Sequence, residues 1–194
     1  MTIRATILAT SALLALAGCG RSGETNQAAP ANTMATTEDM NGMAAATPTP
    51  VALSASQSFA NAAAASDTFE IESSKLALTN GASASVKSFA QKMIDAHTAS
   101  TAKLKTAAGS ASPAITPDPT LNAEQQQQLD QMRGLTGTAF DQAYIAAQNA
   151  GHQQTLDTLK AYAATGDVAS LKTFATGLIP TVTAHLNMAK GLKA

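Results

Sequence analysis

Only one cysteine occurs in the chain, so no disulfide can form within it, and tryptophan is absent. Aromatic residues amount to 4%, a composition that argues against a sheet, which favours aromatic and β-branched side chains. Charge is sparse as well: 13% of residues are charged, the net charge is -1, and the 12 lysines and arginines are scattered. Without a basic stripe there is no electrostatic footprint for nucleic acid. Glycine-rich phosphate loops, nucleophile elbows and paired cysteines are missing, which removes the chemistries that depend on them. After the first residues no apolar run reaches the roughly 20 residues that a membrane-spanning helix needs. What remains is alanine-rich. Much of the 45% hydrophobic content is alanine, which suits helices packed closely through modest side chains.

The beginning of the chain has a distinct pattern. Arg4 precedes an apolar run from Ala5 to Ala17, too short for a permanent membrane helix and of the length expected for a signal peptide. The run closes on Leu16-Ala17-Gly18-Cys19, which resembles the bacterial lipoprotein cleavage box, in which small residues fit the peptidase and the cysteine takes the lipid. The expected organisation is a signal peptide over residues 1–18, a lipidated linker over 19–53 and a folded domain over 54–194. The linker consists of Ala, Thr, Pro, Asn and Gly with few large apolar residues, so it cannot bury enough surface to offset the entropy of ordering. The expected partner is therefore a membrane, reached through the lipid anchor, with no nucleic acid; nothing in the sequence names a protein partner. By resemblance to Gram-negative lipoproteins, Gly20 in place of an aspartate directs such a chain to the outer membrane, facing the periplasm.

Beyond Ser54 apolar residues recur every three to four positions, the helical period. Phe59, Ser66, Phe69, Ser73 and Leu76 mark a first helix ending at Asn80-Gly81, and Val86, Ala90, Met93, His97 and Leu104 a second that fades at Gly109. A loop from Pro113 to Pro119 follows. A third helical region opens at Asn122, weakens at Gly134-Leu-Thr-Gly137 and continues through Phe140, Tyr144, His152, Leu156 and Leu159 to Gly166. The fourth runs from Val168 to about Leu192, with Leu171, Phe174, Leu178, Val182, His185 and Met188 inward and a proline, Pro180, expected to kink or interrupt it. Ala84-Ser-Val-Lys-Ser-Phe-Ala90 is echoed by Ala169-Ser-Leu-Lys-Thr-Phe-Ala175, as if each opened the second helix of a hairpin. Two stacked hairpins make an all-α four-helix bundle.

Several segments carry a family resemblance: Phe69-Glu-Ile-Glu-Ser-Ser-Lys-Leu-Ala77, Val86-Lys-Ser-Phe-Ala-Gln-Lys-Met-Ile-Asp-Ala-His97, Phe140-Asp-Gln-Ala-Tyr144 with His152, and Ile179-Pro-Thr-Val-Thr-Ala-His185. They resemble the exported bacterial family known as domain of unknown function 4142, whose members are often labelled putative membrane or outer-membrane proteins. The resemblance implies a ferritin-like bundle and no established activity. Two departures stand out: the family carries an acidic residue before the histidines where this chain has Ala96 and Gly151. The resemblance does not extend to iron oxidation, because none of the five glutamates has a histidine three residues on, as the paired motifs of di-iron bundles require.

All three histidines, His97, His152 and His185, fall on apolar stripes, one on each of three helices, and the first helix offers Glu70. Counted from the turns near Gly81 and Gly166, taken to lie at the same end of an up-down-up-down bundle, the four fall within a slab on the order of 12 Å thick. One carboxylate and three imidazoles suit Zn, Cu or Fe. Asp67, one turn before Glu70, is the alternative carboxylate. A catalytic role is not expected; the competing reading is an envelope interaction module whose histidines are core residues without metal. Asp141 and Tyr144, far from the histidine level by the same count, are expected to favour a helix dipole and to sit half-buried, respectively.

Replacing Cys19 by alanine should abolish lipid attachment. Metabolic labelling with a radioactive fatty acid reads this directly, and wild-type incorporation into the substituted protein would contradict the lipoprotein assignment.

Overall fold

The structure, a computed structural model, describes residues 53–194. The expected signal peptide, Cys19 and the linker up to residue 52 lie outside them. Among the described residues the chain is all-helical, with five helices: α1 (Ala55–Asn80), α2 (Ala84–Gly109), α3 (Ala123–Arg133), α4 (Gly137–Thr165) and α5 (Ala169–Gly191). The third helical region of the sequence is thus two helices, divided at the Gly134–Gly137 weak point. None of the five is long and apolar enough to cross a membrane.

Local chemistry sets the boundaries. Ser54 starts α1 by accepting from the Gln57 backbone N–H at 3.1 Å, and Asn122 and Gln125 form a reciprocal capping box at the start of α3, each satisfying donors that the first turn leaves free. The start of α2 is capped from outside. The Ser83 side chain makes no cap bond; instead the Asp141 carboxylate, buried on α4, accepts from the backbone N–H of Ala82 at 3.2 Å and of Ser83 at 2.8 Å. The expected dipole role of Asp141 in its own helix gives way to this clamp between α4 and the α1–α2 turn. Gly81 makes the approach possible, since a Cβ there would stand 2.7 Å from the Ala77 carbonyl oxygen and 2.8 Å from Asp141 Oδ1.

Helices α1 and α2 form one antiparallel hairpin and α4 and α5 another; α1 lies against α4, and α2 against α5. The two hairpin turns lie at opposite ends, which corrects the expectation that they share one. Gly81 bridges Gly137 at the start of α4, whereas at the far pole Phe59, near the start of α1, stacks on Tyr162, near the end of α4, with centroids 3.9 Å apart. Chain length explains the reversal. Residues 113–121, extended, span about 30 Å and α3 a further ~16 Å, enough to carry the chain back along the bundle before α4 begins.

The large apolar side chains gather in two clusters. One holds Phe59, Leu104, Leu156, Tyr162, Leu171 and Phe174; the other holds Phe69, Phe89, Met93, Phe140, Tyr144 and, from α3, Leu129 and Met132. Buried polar residues lie where the clusters meet: Asp67, His97, Gln148 and His152 fall between them along α1, α2 and α4, with Glu70 just after Phe69 and His185 just before Leu186. Tyr144 is fully buried, not half-buried, with its hydroxyl 2.8 Å from Ser74 Oγ. Helix α5 continues through Pro180 without interruption, the proline lying on the exposed side, where a missing N–H is least costly. Met188, expected inward, is 38% exposed, and Leu186 is buried in its place.

Two sets of substitutions follow from this packing. Asp141→Ala should cost about 2–3 kcal/mol, because it strands backbone donors of the α1–α2 turn. Phe89→Ala and Phe174→Ala, each emptying one cluster, should cost about 3–5 kcal/mol. Urea unfolding measures all three, and a loss below about 1 kcal/mol in any of them would contradict the packing described.

Candidate metal centre

His97 and His152 come from the middle of α2 and α4, between residues of the two apolar clusters, and His185 comes from the last third of α5, between Val182 and Leu186 of the first cluster. The rings form a triangle, with centroids 5.7 Å apart for His97 and His152, 5.7 Å for His97 and His185, and 5.4 Å for His152 and His185. One ligand atom from each lies within 4.8 Å of the others, and all three residues are buried. Ligands on a tetrahedral metal at about 2.0–2.1 Å stand about 3.4 Å from one another, so small inward rotations of the rings, by up to about 1.4 Å between nitrogens, would close the triangle.

The nitrogens facing away are already engaged. His97 Nδ1 lies 2.7 Å from Asp67 Oδ1, and Thr101 Oγ1 lies 3.1 Å from Asp67 Oδ2. His152 Nδ1 lies 2.9 Å from the Gln148 carbonyl oxygen, an acceptor that fixes this nitrogen as the N–H. These contacts leave His97 Nε2 and His152 Nε2 as buried nitrogens with no partner, joined by His185 Nδ1. An unpartnered buried polar atom costs about 1–3 kcal/mol. Three from one residue type at one level is a lone-pair cluster that a cation would satisfy at once.

The two candidate carboxylates stand behind this cluster, and neither joins the group of mutually close ligand atoms. Asp67 holds His97. Glu70 Oε1 lies 3.6 Å from His152 Nδ1, beyond hydrogen-bonding distance, and its Oε2 has no partner. Glu70 also lines a pocket of about 140 Å3 between α1, α3 and α4, roomy and polar enough to hold water. Gly151 lies in the same pocket, where a Cβ would come 3.3 Å from Glu70 Oε1. Sequence reasoning missed the Gln148 carbonyl, a backbone group that leaves no mark in residue identity, and Gln148 itself, whose fully buried amide reaches Ser73 Oγ at 3.4 Å. Asp95, two residues before His97 on α2, is exposed and takes a bond from Gln91 at 3.0 Å.

Electrostatics divides the histidines. Burial alone would lower the His97 pKa, but the Asp67 hydrogen bond and the charges of Glu70 and Asp67 together raise it above its ordinary 6.5. At His185 burial, reinforced by His152 and His97, pushes the pKa down to about 4. His185 is therefore neutral at pH 7, the state in which an imidazole binds metal.

The described residues thus define an all-helical bundle with three buried, converging histidines that can hold a metal ion. The profile of the family described as "Domain of unknown function (DUF4142)" matches residues 27–192, and the chain belongs to that family. No curated protein and no solved structure matches it.

The histidine shifts set opposite pH limbs for the metal-free domain. Unfolded, His185 takes a proton near 6.5, whereas folded it resists until about 4, so stability present above 6.5 is lost as the pH falls through that window. The fold holds the His97 proton above 6.5, so its contribution is complete below 6.5 and is lost as the pH rises through the raised value. In metal-free protein, His185→Asn should flatten the acid limb of the melting-temperature profile and His97→Asn the alkaline limb. Parallel profiles for wild type and His185→Asn between pH 4 and 6.5 would contradict this assignment.

Proposed function

We propose that the domain is a metal-binding module of the bacterial cell envelope, holding one transition-metal ion through His97, His152 and His185. The observation that carries the reading is the set of three buried, partnerless nitrogens, two of them on rings whose opposite nitrogens are pinned. Ligating histidines characteristically give their other N–H to a carboxylate or a carbonyl, and Asp67 and the Gln148 carbonyl occupy those positions. Glu70 serves as a nearby carboxylate that draws in toward the ion or stays behind His152. Imidazole ligation fits Zn, Cu and Fe, with geometry and supply selecting among them. The role is binding, for storage, sensing or transfer; no nucleophile and base arrangement accompanies the site. The single long crossover between the second and third long helices supports a ferritin-like topology, in which one such connection is typical. The Leu16–Cys19 box supports export and lipid anchorage, facing the periplasm from the outer membrane.

Purified protein with no affinity tag should bind about one equivalent of a divalent transition metal at neutral pH, with affinity falling as the imidazoles protonate. Substituting any of the three histidines by alanine should remove most of the bound metal, and Asp67→Asn should weaken binding about 10- to 100-fold. A chelator should lower the melting temperature of the wild type and leave the histidine variants unmoved. Wild-type protein that takes up no Zn(II), Cu(II) or Fe(II) would end the metal reading and leave an interaction module with core histidines.

A further inference from the structure

Beside the histidine triangle, on the side of the Phe59 cluster, lies a cavity of about 30 Å3 whose wall includes His97 and His185. At the roughly 10–15 Å3 that one water needs, that is room for one or two water-sized spheres, hence for a diatomic molecule. Leu159, Phe174, Leu178 and Val182 supply apolar wall. Of the polar residues that also border it, Ser66, Thr155 and Asp67 have partners of their own. Ser66 and Thr155 are 3.0 Å apart, hydroxyl to hydroxyl, and each Asp67 oxygen has a neighbour, His97 for one and Thr101 for the other. With His97 and His185 committed to a metal, Ser100 and Thr181 are the remaining polar side chains of the wall, against the two to four polar partners that a trapped water needs.

Three histidines also leave a metal short of its usual coordination. A three-histidine set with a fourth position free is the pattern of centres that accept an outside ligand, whereas four protein ligands make a closed structural site. Both carboxylates stand outside the ligand group, so the protein does not fill that position in the geometry observed. We infer that the open position faces the cavity and takes a neutral diatomic molecule, dioxygen or an analogue such as nitric oxide. The inference rests on the metal reading and narrows it from storage of an ion to a centre that meets a small gas. Apolar walls favour a neutral guest over an anion, and the volume excludes organic substrates.

The test uses the full chain loaded with Fe(II), its metal content measured first, with nitric oxide as probe and electron paramagnetic resonance as readout. The wild type should form one nitric oxide complex per bound iron. Ser100→Val, which fills the cavity from α2 beside His97, should keep its iron and bind nitric oxide about tenfold or more weakly, a difference of about 1.4 kcal/mol. Ala63→Val fills it from α1 and should act in the same way, so the outcome does not depend on either variant alone folding well. Iron-loaded wild type that forms no complex would overturn the inference and show a closed shell while sparing the metal reading. Wild-type affinity for nitric oxide in both filled variants, with iron retained, would also overturn it. Absence of metal from the wild type before the gas is added would overturn both.

Discussion

The 2.7 Å contact between Asp67 and His97 joins α1 to α2 at the height where the second hairpin brings in His152 and His185. Both partners are almost excluded from water, their side chains 7% and 6% exposed. Removing either would leave the other in an apolar surround without its counterpart, which is far more costly than losing an exposed pair. The same contact fixes the His97 ring with Nε2 inward, and it raises the affinity of that ring for a proton. A proton and a metal ion would therefore compete for one site whose basicity Asp67 sets.

A polar layer across the middle of a bundle interrupts its core, and the arrangement of apolar residues is the response. Large side chains are collected above and below, in two clusters, one drawing on four helices and the other on all five. Alanines such as Ala60, Ala77, Ala90 and Ala175, all fully buried, let the backbones approach closely enough for the few large rings to fill what remains. Stacking of Phe59 on Tyr162 and of Phe140 on Tyr144 concentrates that packing at the two poles. The histidine layer is thereby held between two packed ends, which set the height of the rings while Asp67 and the Gln148 carbonyl set the orientation of two of them.

The histidine convergence was legible in the sequence because His97 and His152 lie near the middle of their helices. Reversing a helix end for end moves its termini by its whole length but leaves its midpoint in place, so the level of the site survived a mistaken assignment of the turns. The turns themselves were not legible, since helical periodicity says nothing about the path that residues 110–136 take between helices. Asp67 and Glu70 lie three residues apart on one face, and only the rotation of α1 against its neighbours decides which histidine each one meets. The Asp141 clamp was hidden for a different reason: its partner donors are 58 and 59 residues away, whereas helix rules see only the nearest turn. The break at Gly134–Gly137 was visible as glycine chemistry, although its consequence, a separate α3 laid over α1 and α4, was not.

The end-for-end relation of the hairpins also governs how the domain can be displayed. Helix α1 begins at the Phe59 pole and α5 finishes at the pole of Gly81 and Gly137, so the chain enters and leaves the bundle at opposite ends. With 26 residues in α1, those ends stand about 39 Å apart. Anything fixed ahead of Ala55 and anything fused behind Gly191 is held at that separation by a stiff rod, which makes the domain a spacer.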